Sequence, residues 1–320
     1  MTHMKKITNG ILILLFGSFM FFGCQSEDTI INPTNNGSAT DEEALSKIIE
    51  SDEQILSFEP NYNEEDAMDI GLAKVNTEIF PVRVGQRMTL VDMNVEYEFD
   101  ADSAIGTITK YFDGVLRIAA SYEEWEPGDT AVVDTIIEKE FSTVMTRKVI
   151  FQKIGNSIFP DSNWVIKALS LPAGGTTASG VEITKVTVEM PDGEFLEITE
   201  PNEYYLYRRP GYRNQVPVIP RFRDVNVQVE VTSAYADSDF VSLTYGAMFA
   251  HNNRRAKKLF HLVSEEFDGT VYNRVYETTW RTAQWPGFKH AIINVLPYQA
   301  IKELEGGVEE NTWGIPYIVL

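Results

Sequence analysis

The sequence contains little of the chemistry from which catalytic and metal sites are usually built. Its 320 residues include one cysteine and four histidines. A single cysteine excludes an internal disulfide and any CxxC motif. The motifs HExxH, GxSxG, GxxxxGK[ST] and GxGxxG are absent as well. The sequence therefore predicts no cofactor and offers no signature of a catalytic centre.

The sequence also has no hydrophobic run long enough for a permanent membrane span. The longest apolar stretch, residues 11–22, has about 12 residues, whereas a helix needs about 20 to cross a bilayer core. The stretch follows Lys5 and Lys6 and ends at Gly23 and Cys24. Charged residues, a short apolar run and a small residue are typical of a secretory signal peptide, here residues 1–23.

Gly23-Cys24 after this run resembles the lipobox of bacterial lipoproteins. The QSED that follows Cys24 resembles the surface-export signal of Bacteroidota lipoproteins. The resemblance implies that Cys24 is acylated, becomes the mature N-terminus and binds the lipid bilayer of the cell envelope, as in outer-membrane lipoproteins. Phe21 and Phe22 stand where the family prefers leucine and a small residue, so a plain signal peptide or an uncleaved anchor is the alternative. The polar residues 24–40 are predicted to be a flexible tether.

Cations are scarce relative to acidic residues. The chain has 27 lysines and arginines against 47 aspartates and glutamates, a net charge of −20. Because residues 1–23 hold two lysines and no acid, the mature chain would carry −22. Such a field repels phosphate backbones, so nucleic acid is excluded as a partner.

The first predicted domain, residues 41–200, is of the α+β class. Thr40 and Glu43 have capping-box spacing ahead of a helical pattern that runs to Phe58, and a second helix is predicted over 64–75. From Arg87 onward, runs rich in Val, Ile, Thr and aromatics predict antiparallel strands, separated by groups such as FDG and MPDGE. The pair RKVIFQKIG and NWVIKALSL resembles the last two strands of NTF2-like folds, which implies a cone-shaped α+β domain.

The second predicted domain, residues 218–320, is an all-β sandwich. It follows a proline-containing linker, residues 201–217, and contains short alternating strands such as DVNVQVEVTS. The order of these strands resembles the Ig-like or fibronectin-III-like modules of bacterial surface proteins. The cysteine pair of antibody domains is missing, so the resemblance implies only the sandwich.

Two aromatic groups are the candidate ligand-binding residues. One lies in EYYLYRRPGYR and is a basic island in an acidic half of the chain; its members are Tyr204, Tyr207, Arg208 and Arg209. It is either a ligand groove or a joint whose arginines pair with neighbouring carboxylates. The other, Trp280 and Trp285, is either a platform for sugar rings or part of the core edge.

Other polar residues carry weaker signals, each with an ordinary structural alternative. The histidines of the mature chain are far apart in sequence, and the Asp pairs lack the glycine and glutamate that complete an EF-hand loop. A strand-face pair of glutamates is better explained as a solvated surface. These candidates are His251, His261, His290, Asp100, Asp102, Asp237, Asp239, Glu138 and Glu140.

The sequence as a whole predicts a lipid-anchored cell-envelope protein with a binding or structural role. Its expected partners are the lipid bilayer, through Cys24, and a glycan or another envelope protein. The alternative is an enzyme that acts on envelope or extracellular glycans through a carboxylate pair that the sequence does not identify. No residue is predicted to be catalytic, and no metal site is predicted.

Overall fold

The structure is a computed structural model that describes residues 39–56, 68–69, 79–124, 132–208, 215–247, 256–282 and 285–320. The described residues all belong to one compact unit.

Strands dominate this part of the chain. The three α-helices are α1 (Ala39–Ser51), α2 (Glu53–Leu56) and α3 (Gln299–Lys302). The strands are β1 (Met68–Asp69), β2 (Phe80–Asp100), β3 (Ser103–Ser121), β4 (Thr135–Lys153), β5 (Trp164–Ser170), β6 (Ala173–Gly175), β7 (Val181–Glu189), β8 (Phe195–Ile198), β9 (Tyr205–Tyr207), β10 (Val218–Ile219), β11 (Asp224–Ser233), β12 (Phe240–Ala247), β13 (Ala256–Leu259), β14 (His261–Phe267), β15 (Tyr272–Arg281), β16 (Gly287–Leu296) and β17 (Asn311–Val319).

The described strands form two sheets. A 12-stranded sheet has the order β1-β2-β3-β4-β6-β17-β16-β12-β13, with β5 paired to β4, β9 to β5 and β10 to β17. A five-stranded sheet has the order β14-β15-β11-β7-β8. Pairing between these strands is antiparallel except for the parallel pair β10 and β17.

The predicted fold class is wrong. An α+β domain of the NTF2-like type needs helices that cover a sheet, whereas the structure is predominantly β and its longest described helix has 13 residues. The helix predicted from Thr40 is confirmed as α1 and α2. Of the second helix, predicted over 64–75, only Met68 and Asp69 are described, and they form strand β1.

The separate Ig-like sandwich is also wrong, because strand pairing joins the two predicted domains. β7, which precedes the predicted linker, pairs with β11, which follows it. β6 pairs with both β4 and β17. The two sheets do pack face to face, but one hydrophobic core contains residues from both sides of the linker, such as Val186, Val229 and Ile293.

β16 lies at the centre of the fold. Ile293 and Val295 face the core shared with the five-stranded sheet, whereas Ile292 and Leu296 face a second core formed with β2, β3 and β4. A strand that is buried on both faces has apolar residues at consecutive positions rather than alternating ones, as Ala291, Ile292 and Ile293 do in FKHAIINVL. A third core lies at the far end of β3 and β4, where Leu45 of α1 packs against Phe151.

Two glycines allow β6 to pass between β4 and β17. A Cβ atom on Gly174 would lie 1.8 Å from the carbonyl oxygen of Val144, and one on Gly175 would lie 2.2 Å from that of Glu310. Both obstacles are backbone atoms, so a side chain at either position requires the strands to separate. These glycines therefore make the continuous 12-stranded sheet possible.

Candidate ligand-binding groove

The outer face of the five-stranded sheet carries a polar groove. Along β11 the valines, such as Val227 and Val229, are buried in the core, and the residues between them, such as Asn226 and Gln228, point to the opposite face. The same alternation in β7 and β15 places polar residues beside them. The buried side chains hold the sheet in the core, and the polar side chains on the outer face are accessible.

The groove has a volume of about 570 Å³, within the range of small-molecule sites. Its floor lies on the three central strands, and Phe195 of β8 and Val263 of β14 stand at its two rims. With strands about 4.8 Å apart, the outermost strands are separated by roughly 19 Å. The lining residues are Thr187, Glu189, Phe195, Asn226, Val227, Gln228, His261, Val263, Glu277, Thr278 and Thr279.

Hydrogen bonds across the strands hold the floor in place. Asn226 donates from Nδ2 to Oε2 of Glu189 over 2.8 Å and accepts at Oδ1 from the hydroxyl of Thr279 over 2.7 Å. In the next row, Gln228 donates from Nε2 to Oε1 of Glu277 over 2.8 Å. Each amide retains a second donor hydrogen and each carboxylate a second oxygen, so the floor offers donors and acceptors in fixed positions.

The charge of the groove is negative. Glu189 and Glu277 line it, and no lysine or arginine does; His261 is its single histidine. Carboxylates repel an anionic ligand and accept hydrogen bonds from hydroxyl or amino groups. The lining therefore suits an uncharged or cationic ligand that carries many hydroxyls.

The two predicted tryptophans do not form one exposed platform. Trp280 is 3% exposed and lies in the core, where its ring centroid is 5.0 Å from those of Tyr245 and Tyr317. Trp285 is 49% exposed. Trp280 occupies the buried side of β15, directly behind the groove, so it supports the groove floor instead of contacting a ligand there.

The predicted basic island is a packing joint in the part that is described. Tyr204 is half-buried against the shared core, and Tyr207 is half-buried in β9. Arg208 donates from both terminal nitrogens to the carboxylate of Asp52, over 2.6 Å each. Burial alone would raise the pKa of Asp52, but the hydrogen bonds and charge of Arg208 lower it below its ordinary value. Arg209 lies outside the described residues.

A buried arginine that sequence reasoning missed lies beside this pair. Arg147 donates from Nε to the carbonyl oxygen of Ser170 over 3.1 Å and from Nη1 to that of Gln54 over 3.0 Å. Burial, with a smaller contribution from the neighbouring Arg208, lowers its pKa to about 10. The available signal was its position two residues from the apolar Met145 and Val149, which places all three side chains on the same buried face of β4. Its bonds join β4 and β5 to the helical segment.

The remaining candidates are scattered. His261 lies at the groove, the buried ring of His290 packs against Phe288 at 5.1 Å, and His251 lies outside the described residues. Asp239 accepts a hydrogen bond from the buried Arg274, which is a structural role. Asp237 lies 3.4 Å from Lys302.

Two further pairs of acidic residues were candidates. Asp100 and Asp102 flank the exposed turn between β2 and β3, and Glu138 of the outer strand face lies 2.7 Å from Arg117. Glu140 is exposed on the same face. Within the described ranges, no three Asp, Glu, His or Cys side chains converge as metal ligands.

Cys24 and the signal segment lie outside the described residues. None of the helices in the described part of the chain has the length and hydrophobicity to cross a membrane. Comparison of the chain with models of known protein families, and with curated proteins, gives no match.

Proposed function

We propose that this protein is a lipid-anchored cell-envelope protein that binds an uncharged or amino-bearing oligosaccharide in the groove of the five-stranded sheet. Acylated Cys24 holds it at the bilayer, and the folded part presents the groove to the ligand. The observation that carries this proposal is the hydrogen-bonded floor of Glu189, Asn226, Gln228 and Glu277, which presents fixed donors and acceptors on an open face.

The hydrogen bonds of the two carboxylates favour binding over hydrolysis. Glu189 and Glu277 lie on either side of β11, and each accepts a hydrogen bond from it, Glu189 from Asn226 and Glu277 from Gln228. Both carboxylates are therefore held in the floor of the groove by neighbouring amides, as suits a surface that orients ligand hydroxyls.

The binding proposal is tested with the chain from residue 25 onward on a panel of immobilised neutral, amino-bearing and anionic oligosaccharides. Retention is expected on neutral or amino-bearing members. Asn226→Ala with Gln228→Ala should weaken it at least about fivefold, since each lost hydrogen bond contributes about 0.5–1.5 kcal/mol. Thr232→Ala, on the same face of β11 outside the groove, is the matched control.

Three results would contradict the proposal. They are retention only on anionic glycans, retention that the double variant does not change, and retention that both variants weaken equally. Release of shorter oligosaccharides from the panel, abolished by Glu189→Gln, would instead favour the enzyme.

The anchoring is tested separately in a Gram-negative host. Cys24→Ser should move the protein from the membrane pellet to the soluble fraction, because the acylated sulfur would be lost. A Ser26→Ala variant, two residues away, should stay in the pellet. Pelleting of the Cys24→Ser protein would contradict anchoring through this residue.

A further inference from the structure

An exposed apolar loop connects β4 to β5. In this loop, residues 154–163, Ile158 is 88% exposed and Phe159 is 68% exposed, and Ile154 is exposed beside them. Single exposed apolar residues are ordinary, but three within six positions form an apolar patch of the kind that marks an interaction site.

The loop is held together by its own polar groups. Asn163 accepts at Oδ1 from the backbone N–H of Ser157 over 2.7 Å and donates from Nδ2 to its carbonyl over 3.0 Å. The carbonyl of Phe159 accepts from the hydroxyls of Ser157 and Ser162 over 3.0 and 2.8 Å. These bonds hold the backbone of the loop while the side chains of Ile158 and Phe159 remain exposed. Backbone groups that are bonded in this way cost less to place at an apolar interface than unbonded ones.

The anchored end of the chain begins beside this loop. Asp41, in the first turn of α1, accepts from Nζ of Lys153 and from Nε1 of Trp164, both over 3.0 Å. Lys153 and Trp164 are the residues that bracket the loop. Lys47, further along α1, lies 3.5 Å from Asp161 in the loop itself.

The length of chain before α1 limits how far this end can lie from a bilayer. Cys24 and Asp41 are 17 positions apart, which is at most roughly 55–60 Å at full extension. A lipid on Cys24 therefore keeps the loop end of the molecule within that distance of the membrane surface.

We infer that the apolar loop docks into the interface of the bilayer that holds Cys24. This inference rests on the proposed lipid anchoring. Ile158 and Phe159 enter the boundary between headgroups and acyl chains, as the apolar side of an interfacial segment does. Asp102, whose carbonyl accepts from the N–H of Lys153, lies in the neighbouring turn with Asp100. These carboxylates repel anionic headgroups, so docking is expected on a zwitterionic lipid surface rather than on an anionic one.

The experiment uses the lipidated protein in vesicles of zwitterionic phosphatidylcholine and phosphatidylethanolamine. Because the sole natural cysteine is the acylated one, Ile158→Cys provides a unique thiol for an environment-sensitive dye. The matched control is Phe222→Cys. Phe222 is exposed and lies just before β11, a strand of the five-stranded sheet. The dye at position 158 should shift its emission to the blue and be quenched by a lipid-borne nitroxide. The dye at position 222 should show neither effect.

A second measurement removes the anchor. In the Cys24→Ser protein, Ile158→Ser with Phe159→Ser should lower partition into the same vesicles about tenfold or more, as expected when two large apolar side chains no longer enter the interface.

These measurements separate a failure of the loop docking from a failure of the lipid anchoring. A protein that is retained on membranes through Cys24 but has an unquenched dye at position 158 would overturn the docking and leave the anchoring intact. A blue shift without quenching by the lipid would also overturn it and indicate a protein occupant. If the Cys24→Ser protein stays on membranes even with Ile158→Ser and Phe159→Ser, something other than Cys24 and the loop holds it, and both the anchoring and this inference fail.

Discussion

Replacing the buried Arg274 should destabilise the fold strongly. Its side chain is 0% exposed and donates hydrogen bonds from all three of its nitrogens. Nε donates to Glu265 over 2.6 Å, Nη1 to Asp239 over 2.9 Å, and Nη2 to the carbonyls of Tyr235 and Ala236 over 2.9 Å each. Burial alone would lower the pKa of Arg274, but its bonds to Glu265 and Asp239 raise it. The arginine thus joins β15 to β14 and to the segment before β12.

Arg274→Met keeps most of the apolar stem and removes the charge. It leaves the carboxylate of Asp239, also 0% exposed, with only the hydroxyls of Ser233 and Tyr276 as side-chain donors. Removing one partner of a buried ion pair costs about 3–5 kcal/mol, because the other charge is then buried without compensation. A domain has a total stability of about 5–15 kcal/mol, so the effect should be unmistakable.

Urea unfolding followed by tryptophan fluorescence measures the loss. Arg281→Met is the matched control, since Arg281 lies on the same strand, is 67% exposed and is 3.7 Å from Asp224. A surface pair of this kind contributes about 0–1 kcal/mol. Adding Asp239→Asn to Arg274→Met should recover part of the loss, because the buried charge is gone. A loss below about 1 kcal/mol, or a double variant as unstable as the sum of the two single ones, would refute the reasoning.

Three further predictions concern Glu310, Gly174 and Asp52, each measured by urea unfolding. Burial raises the pKa of Glu310, so the folded state binds its proton more tightly and the free energy of unfolding should fall as the pH rises above about 4.5. Glu310→Gln should remove this fall; a larger fall in the variant would contradict it. Gly174→Ala should cost more than about 3 kcal/mol, since its Cβ meets backbone, whereas Gly307→Ala, with nothing within 4 Å, should cost little. The pKa of Asp52 is lowered, so its stabilising contribution is present above the ordinary aspartate pKa and is lost on acidification; Arg208→Met should weaken this acid dependence.

The sequence was sufficient to predict helices and turns that are determined by residues close to one another in the chain. The helical repeat behind Thr40 was sufficient to predict α1, because amphipathic spacing acts within one helix. The predicted cap was wrong in position, since α1 begins at Ala39 and Thr40 lies within it. The turn after β7 was marked by MPDGE, and Gly193 there adopts a φ of 86°. Strand-forming composition likewise marked most strands from Arg87 onward.

Strand length and partners were harder to predict. The RKVIFQKIG segment proves to be only the end of a longer strand, since β4 runs without a break over 19 residues, Thr135–Lys153. The sequence predicts FDG as a separator of strands, yet Gly114 lies within β3, where a Cβ would be 2.5 Å from the ring of Phe141. The glycine makes room for an aromatic ring on the next strand. Such a role depends on a residue distant in sequence, so single-sequence patterns misread it as a turn.

The groove was missed for a related reason. The alternation in DVNVQVEVTS identifies the core face through its valines, but it does not indicate what the intervening residues contact. Asn226 and Gln228 become a site only because Glu189 and Glu277 stand beside them on neighbouring strands. Those partners lie 37 and 49 positions away in sequence. The exposed tryptophan motif was a stronger local signal, but Trp280 belongs to the layer beneath. In a sheet of this kind, the polar half of each alternating strand holds the functional information, and it can be interpreted only after the order of the strands is known.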